Sequence, residues 1–198
     1  MKSFFKKCLY SFCVVITIPL VILYRLTLSE DLFAGQGQWL SLIPGKLGSY
    51  VRIAYYHMTL KHCPNDGYIG FGSFFSHPEV ELGTGYYIGA YCIIGMSKIG
   101  NHTTIGSGVH ILSGKKQHGY REIGKPIQEQ ERIFKTINIG ENCWIGNNAV
   151  ILEDLGQQNV VGAGSVVAIY FGDYVILAGN PSRIISRLST DTTGIDPK

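Results

Sequence analysis

Charge is scarce in this 198-residue chain: lysine, arginine, aspartate and glutamate together make up 16%, and the formal net charge is only +3. Nucleic-acid binding rests on clustered lysine and arginine, and here the basic residues are scattered, so no nucleic-acid partner is expected. The five cysteines, Cys8, Cys13, Cys63, Cys92 and Cys143, are odd in number and form no CxxC pair. Their spacing fits neither a zinc ribbon nor a disulfide framework. They read as small apolar residues in a reducing compartment. Low charge together with 45% hydrophobic residues leaves ample apolar surface to bury and argues against a disordered chain. What the chain has in quantity is glycine, 25 residues, well above the ~7% usual in proteins. Turns with positive φ and close backbone approaches use it.

A second gap in charge is local. Cys8 to Tyr24 carries none, with Lys2, Lys6 and Lys7 before it and Arg25 after it. As a helix it would reach about 25 Å, short of a ~30 Å hydrocarbon core, and Pro19 is expected to kink it. A secretory signal lacks a good cleavage site, since Thr27-Leu28-Ser29 only approximates one. A single span with the lysines inside would place the rest of the chain outside the cytoplasm. Trp39 to Gly45 is apolar and broken by Pro44-Gly45, and Tyr50 to Leu60 mixes aromatics with Arg52 and His57, as an interfacial helix would. The expectation is a helical, membrane-associated region over 1–62, a hairpin or shallow anchor with both ends cytoplasmic. A buried soluble helix is the alternative.

From Tyr68 onward aliphatic residues recur every six positions, often followed by glycine. The runs are Ile88-Gly89 and Ile94-Gly95; Ile99-Gly100, Ile105-Gly106 and Ile111; Ile139-Gly140, Ile145-Gly146 and Ile151. After a ten-residue step come Val161-Gly162 and Val167. Neither a helix at 3.6 nor a half-buried strand at 2 produces a period of six. A solenoid does: each unit makes one short strand and one corner, three units close a triangular coil, and stacked coils bury the aliphatic column. Small residues near the corners would let the backbone turn.

Residues 68–187 resemble the hexapeptide-repeat acyltransferases, in particular the branch similar to bacterial galactoside and maltose O-acetyltransferases. The matching stretches are Ile99-Gly100 to Ile111, Ile139 to Gly146 (Ile-Gly-Glu-Asn-Cys-Trp-Ile-Gly), Val161 to Val167 (Val-Gly-Ala-Gly-Ser-Val-Val) and Ala178 to Arg183 (Ala-Gly-Asn-Pro-Ser-Arg). The resemblance implies an all-β, left-handed parallel β-helix over 63–187, a tail over 188–198, and a homotrimer with active sites between subunits. It also implies acetyl-CoA as co-substrate and no metal.

The repeat breaks over 113–136, a polar insertion that a solenoid does not need; long loops in compact proteins tend to carry function. In resembling enzymes a histidine just past this repeat is the general base, and His118 is the candidate here. It stands about two residues later than the usual column, which Lys116 occupies. An imidazole with a pKa near 6.5 suits removal of a hydroxyl proton, and Glu122, Glu129 and Glu131 are the nearby acids that could hold its second nitrogen. His110, His102, His57, His62 and His77 read as structural, with His110 the next candidate. By resemblance, Trp144 and Asn147 border the pantetheine or the acceptor. Gly162, Ala163 and Gly164 offer backbone amides to the pantetheine arm, and Arg183 reaches the nucleotide phosphates. Ala168 and Ile169 stand where the family often has threonine and lysine, so one phosphate contact is lost or comes from another lysine or arginine. The asparagine and aspartate that bind sugar in galactoside enzymes have no clear counterpart around Tyr86 to Gly95.

The resulting expectation is an acetyl-CoA-dependent O-acetyltransferase acting on a sugar hydroxyl of a cell-surface polysaccharide or its lipid-linked precursor, at the cytoplasmic face of a bacterial inner membrane. N-acetylation of an amino sugar uses similar geometry. A γ-type carbonic anhydrase would need three histidines around zinc, of which the insertion supplies His118 alone. A non-catalytic scaffold would need neither the histidine-bearing loop nor the CoA-side motifs.

Overall fold

The computed structural model describes residues 2–189, with side chains from residue 6 onward; of the expected tail, 190–198 lie outside the described residues. Helices α1 (Lys2–Thr27), α2 (Glu30–Ser41) and α3 (Gly45–Thr59) come first, so an all-β label does not describe the chain as a whole. From there the backbone winds as a three-sided coil whose strands are numbered in chain order. The first side stacks β1 (Tyr68–Ile69), β4 (Tyr87–Ile88), β7 (Thr104–Ile105), β10 (Trp144–Ile145), β12 (Val160–Val161) and β14 (Val175–Ala178), all parallel. The second stacks β2 (Phe74–Phe75), β5 (Ile93–Ile94), β8 (His110–Ile111), β11 (Val150–Ile151) and β13 (Val166–Val167). The third stacks β3 (Glu81–Leu82), β6 (Ser97–Ile99) and β9 (Ile137–Ile139), with Leu155 bridging to Ile139 above. A last strand, β15 (Arg183–Arg187), folds back antiparallel on β14.

The sixfold aliphatics form the inner columns. Ile69, Ile88, Ile105, Ile145, Val161 and Leu177 fill the first side, and Phe75, Ile94, Ile111, Ile151 and Val167 the second, all buried. Cys63, Leu82, Ile99, Ile139 and Leu155 fill the third, with Phe171 packed against the core above them. Steps along the chain between columns are six residues everywhere except from the second side to the third. There they are seven from Phe75 to Leu82, five from Ile94 to Ile99 and four from Ile151 to Leu155. This one elastic corner explains the phase shifts in the sequence, and it is where the insertion enters. A second buried column, two residues behind the first, takes up Cys92 and Cys143. Their thiols donate to the carbonyls of Gly106 and Gly156 one coil up, each at 3.1 Å, and burial raises the pKa of both.

Where glycine follows an inner aliphatic residue, it has a steric cause. A Cβ on Gly146 would lie 2.6 Å from the backbone nitrogen of Ala163, so the next coil could not stack. The corner before the first side has positive φ at His102, Asn142, Gln158 and Tyr174, and of these only Asn142 fits the small-residue expectation. Left-handed backbone costs roughly 1–2 kcal/mol per non-glycine residue. Each of these residues offsets it with an N–H bond to the corner one coil below, such as His102 to Thr84 at 2.8 Å and Asn142 to Asn101 at 2.7 Å.

The lowest coil would leave an open sheet edge, a template for unwanted pairing. Among the described residues Ile69 and Phe75 have no strand beneath them, and Leu82 has only the single bridge of His62 to Glu81. The N–H of Ile69 donates to Ser49 Oγ at 3.2 Å, that of Phe75 to the Tyr56 hydroxyl at 3.4 Å, and that of Leu82 to the His62 carbonyl at 2.9 Å. The Ile69 carbonyl accepts from Arg52 Nε and Nη2 at 3.2 and 3.0 Å. Helix α3 is therefore a lid on the coil, with Val51 through Tyr56 buried, and not the interfacial helix its aromatic and basic residues suggested. Arg52 is fully buried and reaches Leu40, Ser41 and Ile43 carbonyls with Nη1, which ties the end of α2 to the same edge. Helix α1 runs unbroken through Pro19.

Candidate functional site

The insertion is a ribbon rising from the elastic corner. Ladder-like bonds run from Lys135 N–H to the Ser113 carbonyl at 2.9 Å, Ile133 to Lys116 at 3.1 Å and Gly119 to Glu131 at 2.7 Å. Its base is clamped to the coil by Glu153, which pairs with Lys115 at 3.0 Å and with Lys135. The two lysines hold the Glu153 carboxyl down at about 2. Its outer part is knitted by Gln130, a buried side chain that accepts from Glu122 N–H at 3.2 Å and donates to the carbonyls of Glu122 at 3.1 Å and Lys125 at 3.0 Å. Sequence reasoning missed Gln130, because it belongs to no repeat and its neighbours in sequence are polar.

His118 stands exposed on this ribbon and lines a cavity of about 250 Å³ with Lys116, Tyr120, Glu131 and Ile133. Of the acids considered for its second nitrogen, Glu131 borders the same cavity, Glu122 pairs with Lys125 at 3.2 Å, and Glu129 lies in the short 3-10 turn Ile127–Glu129. None of them is hydrogen-bonded to the imidazole, which has no protein partner among the described residues. His110 projects outward from β8 between Ile93 and Val150 and shares a small hollow with Gln117. The remaining histidines have structural places. His57 Nδ1 is 2.6 Å from the Cys63 carbonyl, His62 bridges to Glu81, and His102 makes a corner. His77 lies 3.3 Å from Glu30 and against the Phe134 ring. With Glu79, these two are the one group among the described residues whose three potential ligand atoms lie within 4.8 Å of one another; both glutamates are exposed.

The residues expected on the CoA side come together at a different corner. Trp144 projects from the first side, exposed, between Thr104 and Val160. Asn147 follows at the corner between first and second sides; its Oδ1 accepts from Ser107 N–H at 2.9 Å and its carbonyl from Gly164 N–H at 2.8 Å. Gly162, Ala163 and Gly164 form that same corner one coil up, and Gly164 uses a φ of +68°. Arg183 pairs with Ala178 across β14 and β15, and Ala178 is the side chain a Cβ on Gly162 would touch. Beside Arg183 an apolar groove is walled by Ile169, Phe171, Pro181 and Ile184. At the position lacking the family's threonine and lysine, Lys115 Nζ donates to the Ala168 carbonyl at 2.7 Å, so a cation from the ribbon base occupies that neighbourhood.

Within one chain the residues expected to act together are separated. His118 rises from the corner between second and third sides, while Trp144, Asn147 and Gly162–Gly164 follow the first side and its corner with the second. A whole side of the coil, six residues or at most about 20 Å of extended chain, stands between them.

No family model matches the chain. Among curated proteins, YJL218W of Saccharomyces cerevisiae, named provisionally as an acetyltransferase, is 32% identical over 78 residues, which cover 36% of this chain and 40% of that one. The match thus spans less than half of the relative. Among solved structures, the hexapeptide-repeat acetyltransferase VCA0836 of Vibrio cholerae superposes with a TM-score of 0.69 at 23% identity, over 81% of this chain and 93% of that chain. The same protein complexed with acetyl-coenzyme A gives 0.67 over 80% and 88%. A maltose O-acetyltransferase of Clostridium difficile gives 0.69 at 18% identity over 79% and 85%. The chain has the left-handed β-helix fold of the hexapeptide-repeat acetyltransferases.

Proposed function

We propose that this chain is an acetyl-CoA-dependent O-acetyltransferase that works as a homotrimer, with each active site built from His118 of one copy and the Trp144, Asn147 and Arg183 side of its neighbour. The observation that carries the reading is the division of the site: an imidazole without a partner among the described residues on one corner, and the residues expected on the CoA side on another. Acetyl-CoA would run along the first side, its pantetheine past Asn147 and Ala163 and its phosphates toward Arg183. A sugar hydroxyl would enter from the ribbon side. His118 takes its proton while the oxygen attacks the thioester carbonyl. The tetrahedral oxyanion collapses with loss of the CoA thiolate, and the imidazolium returns the proton to that sulfur. No covalent enzyme intermediate is formed and no metal is needed.

Support for a sugar acceptor comes from the maltose O-acetyltransferase fold match and from the open ribbon cavity, where Lys116, Tyr120 and Glu131 stand beside His118. The acceptor class we assign is a cell-surface polysaccharide or its lipid-linked precursor, acetylated at the cytoplasmic face of the bacterial inner membrane, where acetyl-CoA is present. Thiol release from acetyl-CoA in the presence of glycan acceptors tests the activity, and His118→Ala should lower it by about 10²–10⁴-fold. Mixing inactive His118→Ala chains with inactive Arg183→Ala chains tests the shared site. Mixed trimers recover activity if each site draws on two copies; no recovery in verified mixed trimers overturns that arrangement.

A further inference from the structure

Helix α1 buries one face and leaves the other bare. From Tyr10 to Tyr24 the residues packed toward the protein recur at helical spacing, through Cys13, Val14, Thr17, Leu20 and Val21. The opposite arc exposes Phe12, Val15, Ile16, Ile22, Leu23 and Leu26, with Val15 63% and Leu26 79% exposed, and no charge lies between Lys7 and Arg25. A helix apolar all round needs cover on both faces. Beyond α1, Trp39, Leu42 and Leu47 around the α2–α3 turn are also exposed, Trp39 at 78%.

We propose that α1 lies in the plane of an anionic phospholipid bilayer, its outer arc among the acyl chains and its inner face still packed on the protein, and does not span the membrane. Three observations favour this occupant. The arc is rimmed by cations: Lys6 and Lys7 at one end, Arg25 at the other, and Lys46, which borders one cleft with Lys6. Two copies meeting through this arc would bring like charges together, whereas anionic headgroups neutralise them. Trp39 has the amphipathic ring favoured at headgroup depth. Finally, Arg25 donates to the Met58 carbonyl at 2.6 Å and Gln36 to that of Leu20 at 3.1 Å, so α1 is bonded to α3 and α2. A spanning α1 would have to break these bonds or drag into lipid a lid whose buried Arg52 holds the coil edge. The inference rests on the proposed function only for its purpose, bringing the site to a lipid-linked acceptor, and its test uses no activity.

The full chain, purified in mild detergent, is mixed with phosphatidylcholine vesicles with and without phosphatidylglycerol, and flotation is measured after detergent removal. Cys8 is the exposed cysteine and sits on the outer arc, whereas Cys13, Cys63, Cys92 and Cys143 are buried, so a polarity-sensitive maleimide on Cys8 reports depth. The expected results are flotation that strengthens with phosphatidylglycerol, a blue-shifted label, and flotation at least tenfold weaker in Val15→Glu/Ile22→Glu. Cysteines placed at Ser3 and Thr192 should both react from one side of sealed vesicles. An aqueous label spectrum in the parent chain, labelling from opposite sides, or a dimer that buries the Cys8 label without lipid would each overturn the proposal. If the chain floats as described yet releases no thiol from acetyl-CoA, the catalytic reading fails and this one stands.

Discussion

Replacing Arg52 with methionine tests the idea that a guanidinium closes the lower edge of the coil. The side chain is fully buried and makes five hydrogen bonds to four carbonyls, and among the described residues it has no carboxylate in an ion pair with it. Two of those carbonyls have other donors: Ser41 accepts from Gly72 N–H and Leu40 from Ile43 N–H. Ile69 has no strand below it and depends on Arg52 twice. Leaving such a group unmet in the interior costs about 1–3 kcal/mol, and weakening the other three adds to it. Burial already lowers the Arg52 pKa, so removing the charge returns part of that cost. The net loss expected for Arg52→Met is about 3 kcal/mol. For a chain of this size that corresponds to a Tm lower by about 6–12 °C. Arg52→Lys should recover only part of the loss, because one ammonium cannot reach both Ile69 and the end of α2. Reversible denaturant unfolding followed by tryptophan fluorescence and near-UV circular dichroism measures both variants. A methionine variant within about 1 kcal/mol of the parent, or a lysine variant equal to it, would refute the reasoning.

Other outcomes follow from the ribbon and the coil. Glu153 has its pKa depressed from the usual 4.5 to about 2 by Lys135 and Lys115. Its clamp therefore contributes fully above pH 4.5 and is lost as pH falls toward 2, and amide exchange in 113–136 should quicken across that window, with Glu153→Gln already fast at neutral pH. Gln130→Ala should leave stability within about 1 kcal/mol of the parent while lowering kcat/KM for the acceptor at least tenfold, because the ribbon's outer part loses three bonds; unchanged kinetics would remove Gln130 from any positioning role. Gly146→Ala places a Cβ 2.6 Å from the Ala163 nitrogen and should destabilise by about 2 kcal/mol or more, read by thermal unfolding. Ile145→Ala in the inner column should cost about 2–5 kcal/mol.

The coil was legible because its cause is periodic. An aliphatic residue at each sixth position, and a glycine where the next coil presses against the backbone, print the architecture directly into the chain. The shift between runs was visible at Ile99, but its cause was not. It lies in one corner whose length varies, and nothing in Phe75 to Leu82 or Ile151 to Leu155 marks a corner as elastic. The residues expected on the CoA side came from the resemblance, and Asn147, Gly162–Gly164 and Arg183 lie on neighbouring coils. His118 could be found as a histidine in an insertion, but its distance from them could not, since a sequence does not say which side of a triangle a loop leaves from. Helix α3 was misread for a physical reason. Arg52, Tyr55 and Tyr56 look amphipathic in a helix, and only the missing coil beneath Ile69 and Phe75 explains why polar atoms should point inward.

The lid over the lowest coil also dictates what an amputated version of this protein would do. Without residues 1–62, Ile69 and Phe75 would offer bare amides and Ile69 a bare carbonyl, along three sides already shaped to receive another turn of the same spiral. A second amputated chain carries matching rungs at its own lower end, and its upper end is barred by the β14–β15 fold-back only on one side. Such fragments would stack into fibres or cling to chaperones before they could be assayed, so the helices are a stopper against runaway growth.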